Sequence, residues 1–135
     1  MNLPVDHQAR DQALDFLRSV IIQAPAGSGK TGLLIRRYLK LLAESEEPEQ
    51  ILCITFTRKA TAEVRKRVIE TLQDCECGDP DEEYSELLRL SSAALANDRE
   101  KGWDLVNNIR RLRIQTIDSL CSELVLRMPW SARFG

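Results

Sequence analysis

The chain has 135 residues, 30% of them charged, 43% hydrophobic and a formal net charge of −2. That length and apolar content suit one modest domain, or part of one. The longest apolar runs are only a few residues and the amino terminus is polar from its fifth residue, which argues against a membrane span or a secretory leader and for a cytoplasmic location. Four cysteines and a single histidine, His7, make a poor zinc set, and Cys53 and Cys121 read as small buried hydrophobes.

Charge is unevenly placed. Residues 74–86, "DCECGDPDEEYSE", hold seven acids and no base, whereas residues 58–67, "RKATAEVRKR", hold five bases and one acid. The acidic run reads as a solvated loop and helix start, and the basic run is able to face phosphate.

In chain order, residues 6–18 space Ala9, Ala13, Leu14, Phe16 and Leu17 as an amphipathic helix. "SVIIQA", 19–24, is a short β-branched run stopped by Pro25, the pattern of a buried parallel strand. A second helix begins near Gly29, with Leu34, Tyr38, Leu41 and Leu42 on its apolar side. "ILCITFT", 51–57, is a second strand, and 59–73 a helix with Ala62, Val64, Val68, Ile69 and Leu72 inward. After the acidic loop come two helical stretches, "SELLRLSSAALA" and "WDLVNNIRR", with no strand between them, read as a helical insertion. "RIQT", 113–116, and a helix over 117–127 restore the strand and helix rhythm. The expected fold is α/β: a parallel sheet with flanking helices and a helical insertion, thin at three strands.

The glycine-rich stretch between the first strand and its helix is "APAGSGKT", 24–31. A polyphosphate is held by successive backbone N–H groups turned inward where a helix begins, and that requires a backbone with little side-chain clutter. Gly27 and Gly29 let the loop curl, Lys30 meets the β/γ oxygens, and the Thr31 hydroxyl is a magnesium ligand. The remaining loop residues, Ala24, Pro25, Ala26 and Ser28, complete the expected nucleotide seat for ATP with Mg2+. Ala24 stands where the general pattern has its first glycine.

Three further stretches, taken with this loop, resemble the UvrD/Rep-type superfamily 1 DNA helicases, including their RecB/AddA-like branch. "DHQARDQAL" looks like the family's Q motif, which makes Gln8, and less directly Gln12, a reader of the adenine edge. "ITFTRKATAEVRKRV" resembles motif Ia, and "IQTIDSLC" a segment downstream of it. The resemblance implies a RecA-like P-loop fold, residues 1–135 being the N-terminal part of helicase domain 1A: a Q-motif helix to 18, the P-loop and motif Ia to 73, the acidic loop and insertion to 111, and a final strand and helix. It implies single-stranded DNA contacts at Thr55, Phe56, Thr57, Arg58, Lys59, Thr116 and Ser119. It implies a parent enzyme that couples ATP hydrolysis to translocation and unwinding in DNA repair or recombination, and the rest of a helicase or helicase–nuclease complex as partner.

The residues alone support part of this. An aromatic at a sheet's carboxyl edge stacks on unpaired bases, and hydroxyls and cations at the following helix start bond phosphates. Two departures stand out. Asp118 occupies a place where many relatives carry histidine, and is expected to cap its helix or orient a neighbour rather than meet a phosphate. Gly32 follows the loop where many relatives have arginine, leaving Arg36 or Arg37 as substitutes. No aliphatic strand ending in an acid pair is found, nor room for a second lobe, so little ATP turnover is expected of this chain by itself. The competing readings are a P-loop ATPase or kinase with Asp118 as its acid and no DNA partner, for which Phe56→Ala loses nothing, and a non-catalytic module that keeps the loop as scaffold, for which Lys30→Ala leaves nucleotide affinity untouched.

Overall fold

A computed structural model describes residues 5–75 and 82–128. In chain order the elements are α1 (Val5–Leu14), α2 (Lys30–Glu44), β1 (Leu52–Thr55), α3 (Arg58–Asp74), α4 (Glu82–Lys101), β2 (Arg113–Thr116) and α5 (Ile117–Arg127). Short 3-10 turns at Pro48–Gln50 and Ile109–Arg111 lead into the two strands. No described helix is long and apolar enough to cross a membrane.

β1 and β2 are parallel, with Leu52 opposite Arg113 and Thr55 opposite Thr116. α3 packs on both strands. Against it lie Cys53 and Ile114, both buried, while Leu52 and Ile54 on the alternate face of β1 are exposed. On that alternate face of β2, Arg113 and Gln115 bond the Glu123 carboxylate of α5 at 3.2 to 3.3 Å. These donors, Gln115 first, hold the Glu123 carboxyl below its ordinary range.

The main core lies where α2, α3 and α4 meet beneath the sheet: Leu39, Leu42, Val68, Leu72, Ala94, Leu105 and Ile114 are essentially inaccessible. α2 packs chiefly on α4. The Asn97 amide of α4 donates to the carbonyls of Leu42 and Ser45, at 2.8 and 2.9 Å, satisfying acceptors left open at the end of α2. On α2 the buried positions are Leu33, Ile35, Tyr38, Leu39 and Leu42; Leu34, expected inward, is exposed.

Several expectations are corrected. The run at 19–24 is not a strand: it pairs with nothing among the described residues, and Ile21 is 97% exposed. β-branched residues favour extended backbone, but a strand exists only where a neighbour completes its hydrogen bonds. The sheet described is therefore two-stranded rather than three-stranded.

α1 stops at Leu14 because the Asp15 carboxylate accepts the Leu17 N–H at 3.1 Å, turning the chain. "WDLVNNIRR" is not a helix either. α4 is closed by Gly102 at φ +67°, with the Trp103 N–H donating to the Asp98 carbonyl at 3.0 Å, the pattern of a Schellman end. The Asp98 carboxylate then takes the Leu105 N–H at 3.1 Å, and Trp103 and Leu105 are drawn into the core. Cys121 is exposed; Cys53 is buried, and burial pushes its thiol pKa up. Cys77 and Trp130 lie outside the described residues.

Candidate functional site

The glycine loop has the backbone its sequence demands. Gly27 and Gly29 take φ +79° and +81°, left-handed values that would strain any other residue, and a side chain at Gly27 would meet open space. Gly29 is the N-cap of α2, so helical geometry starts at Lys30. The first N–H groups of a helix have no intrahelical acceptor, and here they open onto the loop.

Lys30 bends back on this loop, its ammonium donating to the Ala24 carbonyl at 2.5 Å. The Ser28 hydroxyl is buried with no hydrogen-bond partner among the described residues. An orphaned donor, two left-handed glycines and an exposed lysine make a set of groups that a polyphosphate would satisfy. Thr31 is half-buried in the first turn of α2.

Of the two arginines proposed to replace the one missing at Gly32, Arg36 brings its Nη1 to 3.6 Å from the point where a Cβ on Gly32 would stand, and Arg37 does not approach the loop. The Arg36 Nε lies 3.6 Å from Glu86 of α4, beside a cavity of about 250 Å³ edged by Gly32, Glu70 and Asp74. Arg37 turns the other way, donating to the carbonyls of Ala13, Asp15 (3.2 Å) and Arg18 (3.0 Å). Gln8 and Gln12 of α1 are exposed, whereas Ala13 and Leu14 face α2 and form a small cluster with Leu33.

At the other expected site, the parallel register brings two distant segments together. Thr55 and Thr116 end adjacent strands at the same edge, and α3 and α5 start from that edge. Thr57 caps α3, its hydroxyl accepting the Ala60 N–H at 3.1 Å. Thr116 caps α5, accepting the Ser119 N–H at 3.2 Å and meeting the Ser119 hydroxyl at 2.9 Å. Asp118 is thus not the cap; it lies exposed in the first turn, where a carboxylate favours the helix dipole.

The Thr55 and Thr61 hydroxyls stand 2.5 Å apart, both within reach of the Thr57 carbonyl. Thr55 therefore spends its hydroxyl inside the fold. A capping hydroxyl accepts through a lone pair and keeps its proton, so Thr57 is still able to donate outward. Phe56, between them, is 90% exposed. Arg58 and Lys59 are exposed at the start of α3.

Farther along α3 the basic residues separate. Arg65 turns under the sheet to the Ile114 carbonyl at 2.5 Å, while Lys66 and Arg67 pair with Glu70 and Glu63. The sharing of one edge by the 55–59 and 116–119 segments was not deduced from sequence; the strand character of both was the signal available for it.

Comparison with known proteins bears on this arrangement. No solved structure matches the chain significantly. Among curated proteins it is similar to an ATP-dependent helicase/nuclease subunit from Lactobacillus gasseri, 31% identical over 121 residues, which is 87% of this chain and 8% of the relative. The protein of the same name from Desulfitobacterium hafniense is 30% identical over 128 residues, 93% of this chain and 8% of the relative. That from Staphylococcus aureus is 30% identical over 109 residues, 80% and 8% respectively. The chain thus spans about a twelfth of the length of these relatives. Residues 5–132 match the family model of the UvrD/REP helicase N-terminal domain, and the chain belongs to that family.

Proposed function

We propose that this chain is the ATP-binding and single-stranded-DNA-binding part of an ATP-dependent DNA helicase acting in repair or recombination. The observation that carries the reading is the loop from Ala24 to Thr31: two left-handed glycines, an orphaned Ser28 hydroxyl and a lysine at the first residue of α2. Bound there, Mg–ATP would take the N–H groups at the start of α2, displace the Lys30 ammonium from Ala24, and bring magnesium to Thr31. The magnesium supplies charge neutralisation at the phosphates. Gln8, exposed on α1, is the group proposed for the adenine edge.

Single-stranded DNA is proposed to lie along the shared edge of β1 and β2. Phe56 would stack on a base, while Thr57, Arg58 and Lys59 at one helix start and Ser119 at the other would face the backbone; Thr116, expected from sequence to touch DNA itself, is buried and would act by holding Ser119. Thr55 would act indirectly, by holding Thr57 through Thr61. Hydrolysis, translocation and unwinding are assigned to a longer protein of the kind the relatives represent; the chain by itself is expected to bind both ligands without appreciable turnover. Titrating the chain with a fluorescent oligothymidine, with and without Mg–ATP, tests the proposal. Saturable binding weakened by salt is expected, and no binding of either ligand by folded chain contradicts it.

A further inference from the structure

α1 touches α2 through Ala13, Leu14 and Leu33, an apolar cluster separate from the main core. Two arginines flank it. Arg37 of α2 donates to the carbonyls of Ala13, Asp15 and Arg18, so one guanidinium clasps the end of α1 and the turn beyond it. These are acceptors that a helix end leaves without partners, and a planar fork serves several at once.

Arg10 lies one turn back from Ala13 on the same side of α1. Its Nη2 is 4.0 Å from the point where a Cβ on Gly29 would stand, and the residue is half-buried. Gln8 lies roughly 200° around the helix from it. Of the side chains expected from sequence to reach the nucleotide from α1, neither glutamine faces the loop as Arg10 does.

We infer that Arg10 is a second cationic contact for the bound polyphosphate, held over Gly29 by the Arg37 clasp. The inference rests on the nucleotide reading above and adds to it a contact from α1. A guanidinium matches two non-bridging phosphate oxygens at once, which the single point charge of Lys30 does not. Arg10 is the contacting residue and Arg37 a positioning residue.

The test is calorimetric titration of the full chain with Mg–ATP and, separately, with inorganic tripolyphosphate, which has no base to read. Arg10→Gln removes the guanidinium and keeps the helix propensity of the side chain, so circular dichroism should be unchanged. It should weaken both ligands roughly ten- to a hundredfold and lower the salt dependence of binding, with Arg10→Lys between it and wild type. Arg37→Ala should weaken both ligands, and adding it to Arg10→Gln should cost less than it does alone. Unchanged tripolyphosphate affinity in Arg10→Gln overturns the inference and leaves the nucleotide reading standing; no binding by wild type overturns both.

Discussion

Thr55 and Thr116 face one another in the parallel ladder, and the helix that follows each strand opens at the same edge of the sheet. Sixty-one positions apart in the chain, they make one surface from two segments, with exposed Phe56 upon it. This edge is where open α/β sheets place their ligands, since helix starts with unpaired N–H groups gather there.

Phe56→Ala separates the DNA reading from its rivals. At 90% exposure the ring contributes little to the fold, so stability should stay within about 0.5 kcal/mol. Oligothymidine affinity should fall by about 1–3 kcal/mol, the scale of one stacked base. Affinity equal to wild type would favour a nucleotide-binding module with no DNA partner.

Thr57 and Thr116 cap the helices that start at this edge. Replacing either with alanine removes a helix cap and should cost about 1 kcal/mol in chemical denaturation, with serine at the same position recovering most of it. If Thr57 also donates to a phosphate, Thr57→Ala weakens DNA binding by more than Thr61→Ala does. Equal losses from the two would return Thr57 to a capping role alone.

Leu39→Ala probes the core. Leu39 is wholly inaccessible among helices α2, α3 and α4, and truncation should cost about 2–5 kcal/mol with a matching fall in the denaturation midpoint. A loss under about 1 kcal/mol would mean that the helices do not pack as described.

Glu49 links stability to pH. The Arg111 guanidinium bonds it at 2.6 and 3.0 Å and, ahead of weaker effects, holds its carboxyl below the ordinary 4.5. The unfolded chain takes up this proton more readily than the folded one. The pair's contribution is therefore present above the ordinary glutamate value and is lost as pH falls below it. Its side chain is 39% exposed, so the loss should be only about 0.2–1 kcal/mol. Denaturation midpoints measured from about pH 6 to about pH 3 should fall less steeply in Glu49→Gln, and identical slopes would contradict the assignment.

Local features were the legible ones. β2 and α5 have the bounds their pattern suggests, and α3 nearly so, because alternation and helical spacing there agree with hydroxyl caps at Thr57 and Thr116. The glycine loop was readable because left-handed backbone at Gly27 and Gly29 is something few residues tolerate. What was not legible depends on distant partners. The 19–24 run has strand composition but no ladder among the described residues, and composition cannot supply a neighbour. The turn that Asp15 makes at the end of α1 is held against α2 by Arg37, more than twenty positions away, and the path of 103–111 follows from Trp103 and Leu105 entering the core beside Asp98. Arg10 carries no signal in the sequence, since its proximity to Gly29 arises from how α1 lies on α2, not from any motif spacing.

Calorimetric titration of Mg–ATP into the wild-type chain and into Lys30→Ala tests the central assignment most directly. Lys30 is exposed and its only described bond is to the loop itself, so the variant should fold as wild type does. One site per wild-type chain is expected, with a loss of at least tenfold in affinity in the variant. Equal affinity in the two, or no heat from folded wild type, would contradict it.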